Sequence, residues 1–355
     1  MSFWTEIDLE HVTECPMCCS PVRMRPFSEI KDWSFGSNSQ AWSFEKCVEC
    51  SSLYLNPRPT ASTIMRAYVS YYTHGDLVQK FNGIGSAVNR LAKKGYLSRR
   101  FGYACSLIEA LFGLLYFYLP NRRLSADLEV RHLPAPRSAN DTVLDIGSGS
   151  GEFLRLANSL GYHATGLEPD TAALDSTFYA VENVRESSLP NTNLEDNTFN
   201  QITLHHVFEH LHYPIESIEE CFRILKPGGR LWMAMPNPKA FGLQIFREHW
   251  RGLEAPRHLV LPSMHILQQR LSMAGFKNIQ FLKHPNVGEF IVRESRVQEN
   301  IAAPTALRKI TNERITNVRV AKYIDQIGRR WPNHAEMFIV IAFKCPYLND
   351  KRDFL

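Results

Sequence analysis

Several things are missing from this 355-residue sequence, and each absence narrows what it can be. Residues 1–16 have no basic stretch followed by an apolar run, so no secretory leader is expected. There is no long uncharged apolar run either. The most apolar stretch, residues 103–120, is broken by Glu109 and falls short of a membrane span. Charge of one sign is nearly absent in excess: 40 Lys+Arg stand against 36 Asp+Glu, a net +4, too balanced for a dedicated polyanion binder. No fixed-period repeat or low-complexity tract appears, which argues against a solenoid or a disordered chain. Without an export signal, a disulfide framework is not expected. These exclusions leave a cytoplasmic α/β protein of about two domains.

What is present begins with cysteine. Five of the eight cysteines lie in the first 50 residues. Cys15-Pro-Met-Cys18 and Cys47-Val-Glu-Cys50 form two C-x-x-C pairs. Each pair makes a tight knuckle, and together they supply four thiolates for a tetrahedral zinc ion. A shell of four thiolates leaves no place for substrate or water, so this zinc is expected to be structural. Cys19 reads as a spare neighbour, and Cys105, Cys221 and Cys345 as core residues. The ribbon, residues 15–50, holds four basic and four acidic residues, so no phosphate-contacting stripe and no nucleic-acid partner is expected.

Asn56-Pro57-Arg58-Pro59-Thr60 ends the module, and residues 60–75 then read as helical. Residues 90–123 hold seven basic residues and one acid, Glu109, around an apolar core. That pattern fits an interfacial helix on an anionic membrane or a cover over an apolar substrate. It equally fits a buried helix packed on the main domain.

From residue 140 the pattern alternates. Strands are expected at 142–146, 163–168, 201–205 and 230–235, with helices through Leu160, over 170–179 and over 214–225. A strand at 278–283, a basic helix at 305–330 and a strand at 336–343 follow. This order predicts a parallel sheet covered on both faces. The first of these strands, Thr142–Ile146, runs into Gly147-Ser-Gly-Ser-Gly151 and then a helix. The glycines allow a sharp turn and a close ligand approach, and the helix N-terminus favours an anionic group. Glu168, at the end of the next strand, is placed to accept hydrogen bonds from ribose hydroxyls. A bare G-x-G-x-G also fits a dinucleotide dehydrogenase. Three features favour another class: Asp145 inside the strand, the G-x-G-x-G spacing itself, and Leu225-Lys-Pro-Gly-Gly229 before a later strand.

Together, "LDIGSGSG" (144–151), "GLEP" (166–169), "HHVFEHLHYP", "RILKPGGRLWMAMPN" and Ala274-Gly275-Phe276 resemble the class I S-adenosylmethionine-dependent methyltransferases over residues 140–283. The N-terminal C-x-x-C…C-x-x-C…NPRP module and Trp250-Arg-Gly-Leu-Glu-Ala-Pro-Arg257-His258 resemble a branch associated with sugar, surface-polysaccharide and natural-product methylation. The resemblance implies a Rossmann-like seven-stranded sheet (139–348) behind a zinc ribbon (1–58) and a helical lid or linker (59–138). It implies S-adenosylmethionine as cofactor and an oxygen, or a carbon, of a sugar-like, nucleotide-sugar or glycolipid acceptor. Gly147, Ser148, Gly149 and Gly151 would face the methionine part, and Asp145 would anchor the loop or the amino group. Glu168 would bind the ribose, Pro169 would border the adenine, Ser188 and Leu189 would flank it, and His205 would lie near the sulfonium. Asn200 departs from the family's usual Asp at a position read as structural.

An oxygen or carbon acceptor must lose a proton, ideally to a group whose pKa is near the working pH. His206 and His210 share a face if their segment is helical, so either could be the base with Glu209 orienting an imidazole. The same residues could instead brace the loop or bind a divalent ion. His258 is the other candidate base, with Trp250, Arg257 and Tyr72 as substrate contacts. Arg257 could hold a phosphate or carboxylate, or only pin its loop. Two further readings stay open: a quinone- or polyketide-like acceptor, to which the apolar 103–120 segment points, and a non-catalytic protein whose ribbon recruits a partner.

Overall fold

The computed structural model describes residues 4–32, 40–68, 84–170, 183–302 and 310–345. Tyr72 and residues 171–179 of the helix expected at 170–179 lie outside them, as do residues 69–75 of the helix expected at 60–75, of which residues 64–68 form a 3-10 turn.

The chain begins with β1 (Leu9–Glu10), β2 (Arg23–Ile30), β3 (Trp42–Cys47), β4 (Leu53–Leu55) and β5 (Arg58–Pro59), followed by α1 (Ile84–Phe101), α2 (Leu107–Gly113) and α3 (Pro120–Glu129). The alternating part runs β6 (Thr142–Ile146), α4 (Glu152–Ser159), β7 (His163–Leu167), β8 (Val184–Arg185), β9 (Phe199–His205), α5 (Pro214–Ile224) and β10 (Leu225–Pro236). It continues with α6 (Phe241–Phe246), β11 (Val260–Leu261), α7 (Met264–Met273), β12 (Lys277–Leu282), α8 (Gly288–Ala302), α9 (Ile310–Arg330) and β13 (Met337–Phe343).

The main sheet has seven strands in the order β12-β13-β10-β9-β6-β7-β8. β10, β9, β6, β7 and β8 are parallel, and β13 runs antiparallel between β10 and β12. Helices cover both faces, so the central strands are apolar along their length: Val143, Leu144, Ile202, Leu204, Leu231 and Met233 are all buried. Asn200, the departure from the family pattern, ties strand starts together. Its Oδ1 accepts from Thr142 N at 3.0 Å and from Lys226 Nζ at 3.0 Å.

The cysteine module is joined to this body. β11 pairs with β4, completing a four-stranded sheet in the order β11-β4-β3-β2. Ser263 Oγ donates to the Cys50 carbonyl at 2.6 Å, and Arg270 Nε donates to the Met17 carbonyl at 2.5 Å. Cys15, Met17, Cys47 and Cys50 belong to the same apolar cluster as the main sheet's core. Of the other cysteines read as core, Cys221 is buried, Cys105 half-buried and Cys345 exposed just past the end of β13.

In the helical insertion, α1 and α2 meet backbone to backbone. A Cβ on Gly95 would sit 1.7 Å from the Glu109 carbonyl oxygen, and one on Gly113 would sit 2.4 Å from the Gly95 carbonyl carbon. Ser106 caps α2 through a reciprocal box: Glu109 N donates to Ser106 Oγ, and Ser106 N donates to Glu109 Oε2. The reading of residues 103–120 as a buried helix does not hold. α2 and the turn after it bury only the side toward α1, and Leu107 is 86% exposed.

Candidate cofactor and acceptor site

The carboxyl ends of β6, β7, β9 and β10 meet at one edge of the sheet, and the cofactor-binding residues expected from the sequence lie along it. Gly147, Gly149 and Gly151 have φ of 68°, 49° and 70°, the left-handed region that favours glycine. A Cβ on Gly147 would strike Val207 at 2.5 Å, whereas no atom comes within 4 Å of a Cβ placed on Gly149. The loop therefore leaves its backbone accessible at Gly149, at the entrance to α4. Glu168 Oε2 accepts from Gly149 N at 2.8 Å, and its Oε1 accepts from Asp170 N at 3.0 Å. Burial pushes the Glu168 carboxyl above its ordinary pKa, and those two amides oppose the shift. Pro169 and Ser188 are exposed and Leu189 is buried beside this edge.

Asp145 is fully buried. Its Oδ1 accepts from Arg131 Nη1 and from Thr203 Oγ1. Asp145 Oδ2 and Ser148 Oγ are buried with no hydrogen-bond partner among the described residues. Such orphaned polar atoms beside an accessible glycine backbone suit a ligand carrying an amino group and hydroxyls. The residues present thus fit S-adenosylmethionine. Arg131 carried no sequence signal of its own. It stands in a left-handed conformation (φ 49°) just after α3, with its guanidinium 3.6 Å from the Phe153 ring centroid.

At the end of β9, burial holds the His205 imidazole well below its ordinary pKa, and the His206 and Arg131 charges add to the shift. The expected shared helical face of His206 and His210 is absent. His206 has φ 57°, and only residues 208–210 form a 3-10 turn. His206 Nδ1 lies 3.0 Å from Glu209 Oε1, with the His206 side chain about a third exposed (32%) and the Glu209 side chain not exposed. Burial pushes the Glu209 carboxyl up, but the His206 bond and the surrounding imidazole charges outweigh it and hold the group low.

His210 and His258 are turned inward. His210 Nδ1 lies 3.0 Å from the Arg257 carbonyl and 2.9 Å from Tyr68 Oη, and the His210 and His258 rings are 4.9 Å apart. His258 Nδ1 donates to the Gly252 carbonyl at 2.8 Å, and burial pushes its imidazole down to about 4. The carboxylate-imidazole group that comes within metal-binding reach is Glu209, His210 and His258, without His206.

Two expected substrate contacts are structural. Arg257 is fully buried (0% exposed). Its Nη2 donates to Asp32 Oδ1 at 2.6 Å, its Nη1 to Asp32 Oδ2 at 2.9 Å and to the Ala67 carbonyl at 2.9 Å, and its Nε to Glu254 at 3.2 Å. It pins the loop to the cysteine module. Trp250 is buried, and its Nε1 donates to Glu336 Oε2 at 2.8 Å.

Glu336 and His284 carried no sequence signal. Both line a cavity of about 160 Å³ at the β12 and β13 side of this edge, with Phe281, Leu124, Asp325 and Arg329. His284 Nδ1 donates to the Pro285 carbonyl at 2.9 Å, while its buried Nε2 is unpaired among the described residues. Burial, with the His206 charge, pushes the His284 imidazole down to about 4, whereas burial pushes the Glu336 carboxyl up to about 7.

In the N-terminal module, the sulfurs of Cys15, Cys18, Cys47 and Cys50 all lie within 4.8 Å of one another, with Cys15–Cys50 at 3.5 Å and Cys18–Cys47 at 3.4 Å. A zinc ion with Zn–S bonds of about 2.3 Å needs sulfurs about 3.8 Å apart, so the donor set fits one.

The methyltransferase-domain family matches residues 96–281, more than half of the chain. The chain belongs to that family. A ubiquinone/menaquinone biosynthesis C-methyltransferase from Roseobacter denitrificans is 32% identical over 179 residues, 41% of this chain and 70% of that protein. A probable S-adenosylmethionine-dependent methyltransferase from Mycolicibacterium smegmatis is 31% identical over 109 residues, 30% of this chain and 42% of that protein. A ubiquinone biosynthesis O-methyltransferase from Xanthomonas oryzae is 29% identical over 132 residues, 34% of this chain and 54% of that protein. The chain thus spans about half the length of several of these relatives. Among solved structures, a SAM-dependent methyltransferase from Archaeoglobus fulgidus aligns with 64% of this chain and 94% of its own, at 20% identity and a TM-score of 0.43.

Proposed function

We propose that this methyltransferase-family chain moves a methyl group from S-adenosylmethionine to a hydroxyl oxygen, or a carbon, of an apolar, quinone- or polyketide-like small molecule. The observation that carries the reading is the juxtaposition of two features at one sheet edge. One is the accessible glycine loop with Glu168; the other is the His206–Glu209 pair at the end of β9, within electrostatic reach of His284 in the lining of a largely apolar cavity. When bound, S-adenosylmethionine supplies an electrophilic methyl group. The chain's work is then to align the acceptor and take its proton. Glu209 holds the Nδ1 side of His206, which leaves Nε2 as the proton-accepting atom on a partly exposed ring. His210 and His258 are spent on packing and backbone bonds, so they support the site rather than accept the proton. Glu168 receives the ribose hydroxyls, and Ser148 and Asp145 face the amino-acid end of the cofactor. Zinc in the four-cysteine cluster is structural and ties the two knuckles of the N-terminal module to each other.

A second reading keeps the sugar-like acceptor. Lys283, Asp325, Arg329 and Glu336 form a polar rim on the cavity that would hydrogen-bond sugar hydroxyls. Arg257, the residue expected to grip a nucleotide-sugar phosphate, is occupied by Asp32 and Glu254, which lowers that reading. The peripheral location expected from residues 103–120 fits the apolar acceptor. No helix among the described residues is long and apolar enough to cross a membrane. The test is methyl transfer from labelled S-adenosylmethionine to a panel of hydroxylated quinols, polyketide-like phenols and nucleotide sugars. The account expects turnover on the apolar hydroxylated compounds. Turnover confined to nucleotide sugars would overturn it.

A further inference from the structure

Residues 107–119 hold their apolar side chains outward. Ile108 is 61% exposed, Leu111 67% and Tyr118 85%, and Leu114, Leu115, Phe117 and Leu119 are exposed with them. The opposite side of α2 is pressed on α1 at the Gly95–Gly113 contact, so the exposed residues form one continuous surface. Single exposed apolar residues are ordinary, but a contiguous patch is a docking surface.

Positive charge rims that surface. Lys94 Nζ sits 3.3 Å from Glu109 at the start of α2, and the Arg123 guanidinium lies 5.8 Å from the Phe117 ring centroid at its far end. Arg99 and Arg100 in the adjoining α1 and Arg122 in α3 are exposed. Glu109 is the one acid in residues 90–123, and its carboxylate is taken up by Ser106 and Lys94. An apolar centre ringed by cations complements an anionic bilayer. The apolar side chains enter the acyl boundary, and the basic ones meet lipid phosphates. The patch also leads toward the candidate site. It ends at Leu119, where α3 begins, and Leu124 of α3 lines the cavity. Five residues of helix separate the two, about 7.5 Å of rise.

We propose that residues 107–119 dock this chain on an anionic membrane surface, so that an apolar acceptor reaches the cavity along the Leu124 side. The acceptor clause rests on the proposed function; the docking does not.

The experiment is co-sedimentation of the full chain with vesicles of phosphatidylcholine, with and without phosphatidylglycerol, alongside calorimetric S-adenosylmethionine binding. The chain should pellet with the anionic vesicles and less so as salt rises. The Leu111→Ser/Leu115→Ser variant changes only exposed positions and should lose about tenfold or more of its partitioning, with unchanged circular dichroism and cofactor binding. Arg99→Gln and Arg122→Gln should each weaken anionic-vesicle binding about fivefold. The proposal is overturned if wild type stays in the supernatant or the serine variant pellets equally well. It is also overturned if, without lipid, wild type self-associates through this face and the serine variant does not, because a second copy is then the occupant. Vesicle binding without cofactor binding would sink the methyl-transfer reading and leave the docking standing.

Discussion

Replacing Arg257 separates two roles for it, a substrate contact and a buried tie. The side chain joins three segments: Asp32 in the cysteine module, the Ala67 carbonyl, and Glu254 of its own loop. Arg257→Met keeps most of the volume but leaves the Asp32 carboxylate, 1% exposed, without its guanidinium. Glu254 keeps Arg251 and is less affected. Removing one partner of a buried ion pair costs about 3–5 kcal/mol. Arg257→Met should therefore lower unfolding free energy by about that amount in urea, read by tryptophan fluorescence. The double variant Arg257→Met/Asp32→Leu removes both charges and should recover a large part of the loss. If Arg257→Met instead unfolds at the wild-type urea concentration and loses only acceptor affinity, Arg257 faces substrate and the buried-tie argument is wrong.

Three further outcomes follow from the same geometry. Glu168→Ala removes a buried carboxylate that accepts from Gly149 N and would accept from ribose hydroxyls. Charge-assisted bonds of about 1.5–3 kcal/mol each predict at least a tenfold weaker S-adenosylmethionine Kd by calorimetry, and a Kd within threefold of wild type contradicts the assignment. His206→Ala and Glu209→Gln should each lower kcat by about a hundredfold with cofactor Kd unchanged, and an unchanged kcat would remove the pair from the chemistry. The buried His258 imidazole has a folded pKa of about 4 against an ordinary 6.5, so the unfolded chain takes up the proton first as pH falls. Its contribution is complete above about pH 6.5 and is lost toward pH 4, about 3 kcal/mol for this group. His284 acts in the same direction. Glu336 acts oppositely, losing stability as pH rises toward 7. The stability gap between wild type and His258→Gln should therefore narrow on acidification, and a gap independent of pH would show that burial does not shift the ring's titration.

Much of the fold was legible because the signals are local. β6, β10 and β13 are apolar runs punctuated by glycine or proline, and the sheet buries both faces, so the runs need no alternation. The glycine loop and the C-x-x-C pairs were legible because spacing alone constrains their geometry. What the sequence did not show depends on distant contacts. Arg257 meets Asp32 across 225 positions, so a residue that looked like a phosphate ligand is a buried tie. β11, two residues long, forms where folding brings residues 260–261 beside β4, more than 200 positions earlier. His284, Glu336 and Arg131 sit in no motif, and only folding gives them their burial and neighbours. The apolar composition of 103–120 fixed its hydrophobicity but not its direction, which the Gly95–Gly113 contact decides.

The four-cysteine cluster gives one more prediction. The purified chain should hold one zinc ion, and the Cys15→Ser/Cys47→Ser variant should hold none and unfold its N-terminal sheet. Metal content at or near zero in folded wild type would contradict it.

The most direct test of the central claim is a calorimetric titration of the folded wild-type chain with S-adenosylmethionine. Saturable binding at one site per chain with a micromolar Kd is expected. No binding by a folded, zinc-loaded protein would contradict it.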